Sequence, residues 1–89
     1  MTPDKNDSAA IEAAILQLLS TQGAGRTVAP EQVARSLGGD ADWHGWLGPV
    51  RRAAVKLALD GRLVIYRKGK AVDPTDFKGV YRLGLPRLD

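Results

Sequence analysis

The sequence predicts a mainly α-helical α+β domain with a small antiparallel hairpin at its C-terminal end. Three observations carry that expectation. Apolar residues recur at helical spacing through stretches closed by glycines, they then switch to the alternation of a strand, and turn-forming residues at the switch allow the chain to reverse.

Met1 to Ser8 is polar, contains Pro3 and reads as a disordered tail, which leaves 9–86 as one domain. In the first helix Ile11, Ala14, Ile15, Leu18 and Leu19 lie on one face, and Ile15 and Leu18, at the centre of that stripe, are expected in the core. Asp7 or Ser8 is placed to accept the first free backbone N–H groups, and Gly23-Ala24-Gly25 should stop the helix near Gln22. Thr27-Val28 reads as a very short strand. Pro30 suits the first position of a second helix of about two turns, with Val33, Ala34 and Leu37 as its apolar face and Gly38-Gly39 as its end. Asp42 is placed to cap one further turn from Trp43 to Leu47. Gly48-Pro49 then restarts the chain as a third helix that reaches Asp60 and closes at Gly61.

In that third helix Val50, Ala54 and Leu57 point one way and Arg52 and Lys56 the other, while Val55 and Leu59 blur the division. A helix this apolar is expected to be gripped on more than one side. Leu63 to Arg67 is rich in strand formers, and Lys68-Gly69-Lys70 offers a turn. Val80 to Leu85 alternates, with Tyr81, Leu83 and Leu85 on one face and Arg82 on the other, so it should pair with the earlier strand. A loop of about ten residues separates them, long for a hairpin. Helix, short strand, two helices and a hairpin is the order of a winged helix-turn-helix, with the long loop as the wing.

The run from Lys68 to Pro74, with Lys78-Gly79, Arg82-Leu83, Val33 to Leu37 and Val50-Arg51, resembles a bacterial family of small uncharacterised proteins known only as a domain of unknown function. The resemblance spans Ile11 to Leu85 and departs from good capping chemistry at Ala29, where Ser or Asp would serve better. It implies the winged-helix fold. That family has no established activity, so the resemblance implies no site residues.

Composition narrows the function. With 89 residues, 44% of them hydrophobic, the chain can bury one core, and the absence of cysteine rules out disulfides and thiolate metal sites and fits a reducing, cytoplasmic compartment. Asp4, Asp7 and Glu12 interrupt the region where a signal peptide needs a basic start and an apolar run, so neither export nor membrane insertion is expected. Charge is unevenly divided. Residues 1–50 hold three basic and six acidic side chains, whereas 51–89 hold ten basic and four acidic ones, a swing from −3 to +6. A polyanion is the partner such a C-terminal half suggests, although a merely solvated basic surface has the same composition.

The candidate nucleic-acid contacts follow from this. Arg51, Arg52 and Lys56 would lie at the start of the third helix, the element a winged helix sets into the major groove, and Arg67, Lys68 and Lys70 surround the hairpin turn. Pairing of the helical cations with acidic residues of the N-terminal half is the competing role. Other constellations are weak. Asp73 and Asp76 beside Pro74 suit a turn better than a metal loop, Phe77 should anchor that loop to the core, and His44 lacks partners for zinc. Trp43 and Trp46, three apart, share one side of a helical turn, with at least one expected in the core and an exposed one marking a partner surface. Ser8, Ser20 and Ser36 lie in ordinary helix positions, the single histidine has no identifiable nucleophile partner, and Gly23 to Thr27 lacks the spacing and ending of a phosphate loop, so no enzyme, cofactor or metal is expected. The reading is a non-catalytic module for duplex DNA; its rival is a protein-interaction module or dimerising adaptor.

Overall fold

The computed structural model describes residues 4–23 and 26–86. Residues 1–3, 24–25 and 87–89 lie outside it, and with them part of the expected tail and two of the three residues of the expected helix stop. The fold is α+β, mainly helical, with a four-stranded antiparallel sheet.

Helix α1 spans Ser8–Gln22. Asp7 is its cap, accepting the Ala10 N–H at Oδ1 over 3.1 Å, while the Ser8 hydroxyl turns inward and donates to Glu12. Gly23 ends it with φ +89°, a conformation open to glycine and strained for other residues. The buried stripe is Ile11, Ile15 and Leu19, spaced by four. Leu18, expected in the core, is only half-buried: it sits about 100° round the helix from Leu19, in a shallow depression shared with Ala14 and Leu37. Before α1, the segment read as a tail makes a turn closed by Asp7 N–H to the Asp4 carbonyl, and Lys5 Nζ reaches 3.0 Å from Asp42.

After strand β1 (Thr27–Val28), helix α2 covers Pro30–Leu59 and contains one break, at Gly39 (φ +69°, ψ −175°). Pro30 stands in the first turn as expected. Ala29 offers no side-chain acceptor, and Gln32 compensates from the third helical position, its Oε1 accepting the Ala29 N–H at 2.9 Å. The first limb, 30–38, matches the expected two-turn helix. The expected boundary at Gly48-Pro49 does not exist: the second limb runs unbroken from 40 to 59 with Pro49 inside it. Pro49 removes one backbone hydrogen bond there, but an unbroken limb keeps Trp46, Val50, Ala53, Ala54 and Leu57 together as one buried face against α1 and the sheet.

Strands β2 (Val64–Arg67), β3 (Lys70–Ala71) and β4 (Arg82–Gly84) complete the sheet in the order β1-β4-β2-β3. The expected pairing of the two longer strands holds, with Ile65 opposite Leu83 and Tyr66 opposite Arg82, and β1 adds to the far side of β4 with Val28 opposite Leu83. Two features differ from the simple hairpin. Lys68 and Gly69 make a tight two-residue turn into β3, with the two positive φ values, +53° and +82°, that a type I′ turn needs. The long loop expected to project as a wing instead folds back, because Phe77 and Tyr81 are buried in the core with Leu63, Ile65 and Leu83. It is the short β2–β3 hairpin, exposed from Lys68 to Ala71, that stands in solvent.

Truncating Leu19 should therefore cost about 2 to 5 kcal/mol, the range for a fully buried leucine, whereas Leu18→Ala should cost about 1 kcal/mol. Urea melts of the two variants check the assignment.

Candidate nucleic-acid interface

The cations picked out in the sequence separate into held and free groups. Arg51 was expected at a helix start; it lies in the second half of the long limb, and its side chain is half-buried. Its guanidinium stacks 4.1 Å from the Phe77 ring centroid and 5.7 Å from that of Tyr81, and Nη2 donates to the Phe77 carbonyl at 2.9 Å. Arg51 thus clamps the folded-back loop to the helix. Lys56 lies 3.5 Å from the mostly buried carboxylate of Glu12 on α1, the competing role foreseen for a helical cation. Arg67 donates from Nε to the Val80 carbonyl at 3.1 Å. A side chain at Gly79 would start 3.0 Å from its guanidinium, so the glycine makes room for that contact.

Arg52, Lys68 and Lys70 are exposed and have no ion-pair partner among the described residues. The residues that begin the long limb are Asp40 and Asp42, so the first turn of that limb is acidic rather than basic.

The sheet assembles a further set that sequence reasoning missed. Inward-facing Val28, Leu83 and Ile65 line the core, so their neighbours Thr27, Arg82, Gly84, Val64 and Tyr66 face outward. On that outer face Arg26, Lys68 and Arg82 surround a cleft of about 150 Å³ whose walls include Tyr66, Thr27 and the glycines 69 and 84. Among the described residues none that lines it is acidic. Arg82 is held by Thr27, with Nε donating to Oγ1 at 2.7 Å and Nη2 to the backbone carbonyl at 3.1 Å. The strand alternation around Arg82 was visible in the sequence; its meeting with Arg26 and Lys68 depends on β1 pairing with β4, which nothing local signals.

The remaining polar groups make local structure. Asp73 accepts both the backbone N–H (2.9 Å) and the hydroxyl (2.7 Å) of Thr75, and those bonds hold its carboxyl below the usual carboxylate range. This is the turn expected there. Trp46 is the buried tryptophan; Trp43 is half-buried, with the His44 ring stacked at 3.7 Å and Arg35 at 4.4 Å. Ser36 donates to the Val33 carbonyl, and among the described residues no three His, Cys, Asp or Glu stand together as metal ligands. No helix there is long and apolar enough to cross a membrane.

Fold and site together define a small α+β domain with two exposed lysines on its β2–β3 hairpin and a cleft bordered by three cations on the outer face of its sheet. The family model described as Protein of unknown function (DUF3253) matches residues 8–86, and the chain belongs to that family. No curated protein matches the chain.

Two outcomes test the clamp. Arg51→Ala should destabilise the domain by about 1 to 2 kcal/mol through loss of a hydrogen bond and the aromatic contacts, while Arg52→Ala should change it by no more than about 0.5 kcal/mol, as read from denaturant midpoints.

Burial of the Tyr81 hydroxyl raises its pKa above the ordinary value near 10, against the opposing pull of Arg51. The unfolded chain then loses this proton at lower pH than the folded one. The stability tied to Tyr81 is fully present below about pH 10 and falls as pH rises towards the folded value. Tyr81→Phe should shrink the drop in urea midpoint between about pH 9 and about pH 11.

Proposed function

We propose that this chain is a non-catalytic, cytoplasmic winged-helix module that binds duplex DNA, with the β2–β3 hairpin as its wing. The observation that carries the reading is the hairpin tip: Lys68 and Lys70 stand exposed about a tight two-residue turn, with no acidic partner among the described residues. Two ammonium groups held in this way gain little within the domain and match a phosphate backbone. The order of elements, with the last strand central in the sheet, supports the winged-helix reading. Arg52, on the exposed side of the limb 40–59, is the helical contact; Arg51, Lys56 and Arg67 are occupied inside the domain and serve to position these elements.

A protein-binding role has one observation in its favour. Val80 is 85% exposed beside an apolar groove that Pro30, Leu47 and Tyr81 also line.

Binding of the full chain to unrelated duplexes across a salt series tests the DNA reading. Each phosphate contact steepens the fall of log affinity with log salt by about 0.9, so replacing Lys68 and Lys70 together should flatten the slope by up to about 2 without lowering the urea midpoint. Absence of duplex binding at low salt, or an unchanged slope in the double variant, would sink this reading in favour of the apolar groove.

A further inference from the structure

The cleft on the outer face of the sheet goes further than the hairpin tip. It draws cations from three separate elements: Arg26 ahead of β1, Lys68 in the hairpin turn and Arg82 on β4. Among the described residues no carboxylate lines it, so it suits a ligand of negative charge. Arg82 is already oriented, since Thr27 takes its Nε and one Nη2 hydrogen. A guanidinium has five N–H donors, and the others are left to serve a ligand without the ordering cost of a free arginine.

Size and shape narrow the ligand. About 150 Å³ is small beside the roughly 300 to 1,000 Å³ of clefts that enclose drug-sized molecules, so one compact group fits. The Tyr66 ring lies across Gly84 so closely that a Cβ there would come within 2.9 Å of it. The ring therefore presents a fixed apolar wall beside the cations. An anionic group carrying a short apolar neighbour satisfies both surfaces, and in a polynucleotide that unit is a phosphate with its sugar.

We propose that this cleft seats one phosphodiester of the nucleic-acid backbone, bound by Arg26, Lys68 and Arg82 with the adjoining deoxyribose against Tyr66. The inference rests on the DNA reading and assigns that reading a defined phosphate subsite, reached by Lys68 from the hairpin turn and by Arg26 and Arg82 from the outer face of the sheet.

The test is an amide NMR titration of the full chain with thymidylyl-thymidine, which contains one internal phosphodiester, alongside inorganic phosphate and thymidine. Saturable shifts at Thr27, Gly69 and Gly84 are expected with the dinucleotide and not with thymidine. The double variant Arg26→Gln with Lys68→Asn should weaken that binding about tenfold. Lys68→Asn creates Asn-Gly, a favoured type I′ pair, so the turn is preserved while the charge is lost. Absence of cleft shifts with the dinucleotide, or equal affinity in the double variant, overturns the proposal. Cleft shifts with inorganic phosphate alone overturn the backbone assignment and leave a site for a free anion. Duplex binding by the unaltered chain without cleft shifts from the dinucleotide is failure of this inference alone, whereas absence of duplex binding at low salt is failure of the function above.

Discussion

The break in α2 is held open by one close contact, the indole of Trp46 lying on the backbone of Gly38. A Cβ at Gly38 would start 2.3 Å from Trp46 Cδ1, so only glycine admits the ring, and Gly39 beside it takes the positive φ that turns the chain. The rest of the domain is arranged around that corner. Trp46 is 2% exposed and shares the core with Val33 and Ala34 of the first limb and Val50 of the second. Its Nε1 finds no hydrogen-bond partner among the described residues. Such a group costs about 1 to 3 kcal/mol, which the packing of the largest side chain type offsets by an amount of similar size. Arg35 braces the corner from outside, 2.9 Å from Asp40 and stacked on Trp43, so both limbs are joined by apolar and charged contacts at once.

The division of charge along the chain acquires a geometry here. Acidic side chains of the first half meet cations at the helical end of the molecule: Glu31 and Asp40 with Arg35, Asp42 with Lys5, and Glu12 with Lys56. Most of these pairs are solvent-exposed and contribute about 0 to 1 kcal/mol each. Their larger consequence is spatial. They occupy Arg35, Lys5 and Lys56 on the helical side, and Arg51 is withdrawn onto Phe77, so Arg52 is left as the free cation of that group while Lys68 and Lys70 stay unpaired on the hairpin among the described residues.

The fold class and most elements were legible in the sequence because their causes are local. The stripe through Ile11 and Ile15, the Asp7 cap, Pro30 at a helix start, the Gly38-Gly39 break, the anchoring of Phe77 and the alternation about Leu83 each follow from spacing or backbone chemistry within a few residues. Of the candidate contacts, Lys68 and Lys70 were legible for the same reason, since a glycine turn between strands keeps its flanking lysines in water. Tertiary structure decided the rest. Gly48-Pro49 has the local chemistry of a helix start, yet burying Trp46 and Val50 on one face outweighs the single hydrogen bond that Pro49 removes. Leu18 and Leu19 look alike in sequence, and only the direction from which α2 approaches selects Leu19. Arg51 is a basic residue like Arg52 until the loop, drawn in by Phe77 and Tyr81, closes over it. Arg26, Tyr66 and Arg82 are 40 and 16 residues apart along the chain and meet because β4 pairs with both β1 and β2. Short-range patterns report what a segment prefers, whereas that pairing is set by the burial of Val28, Ile65 and Leu83 in one shared core, a property of no segment alone.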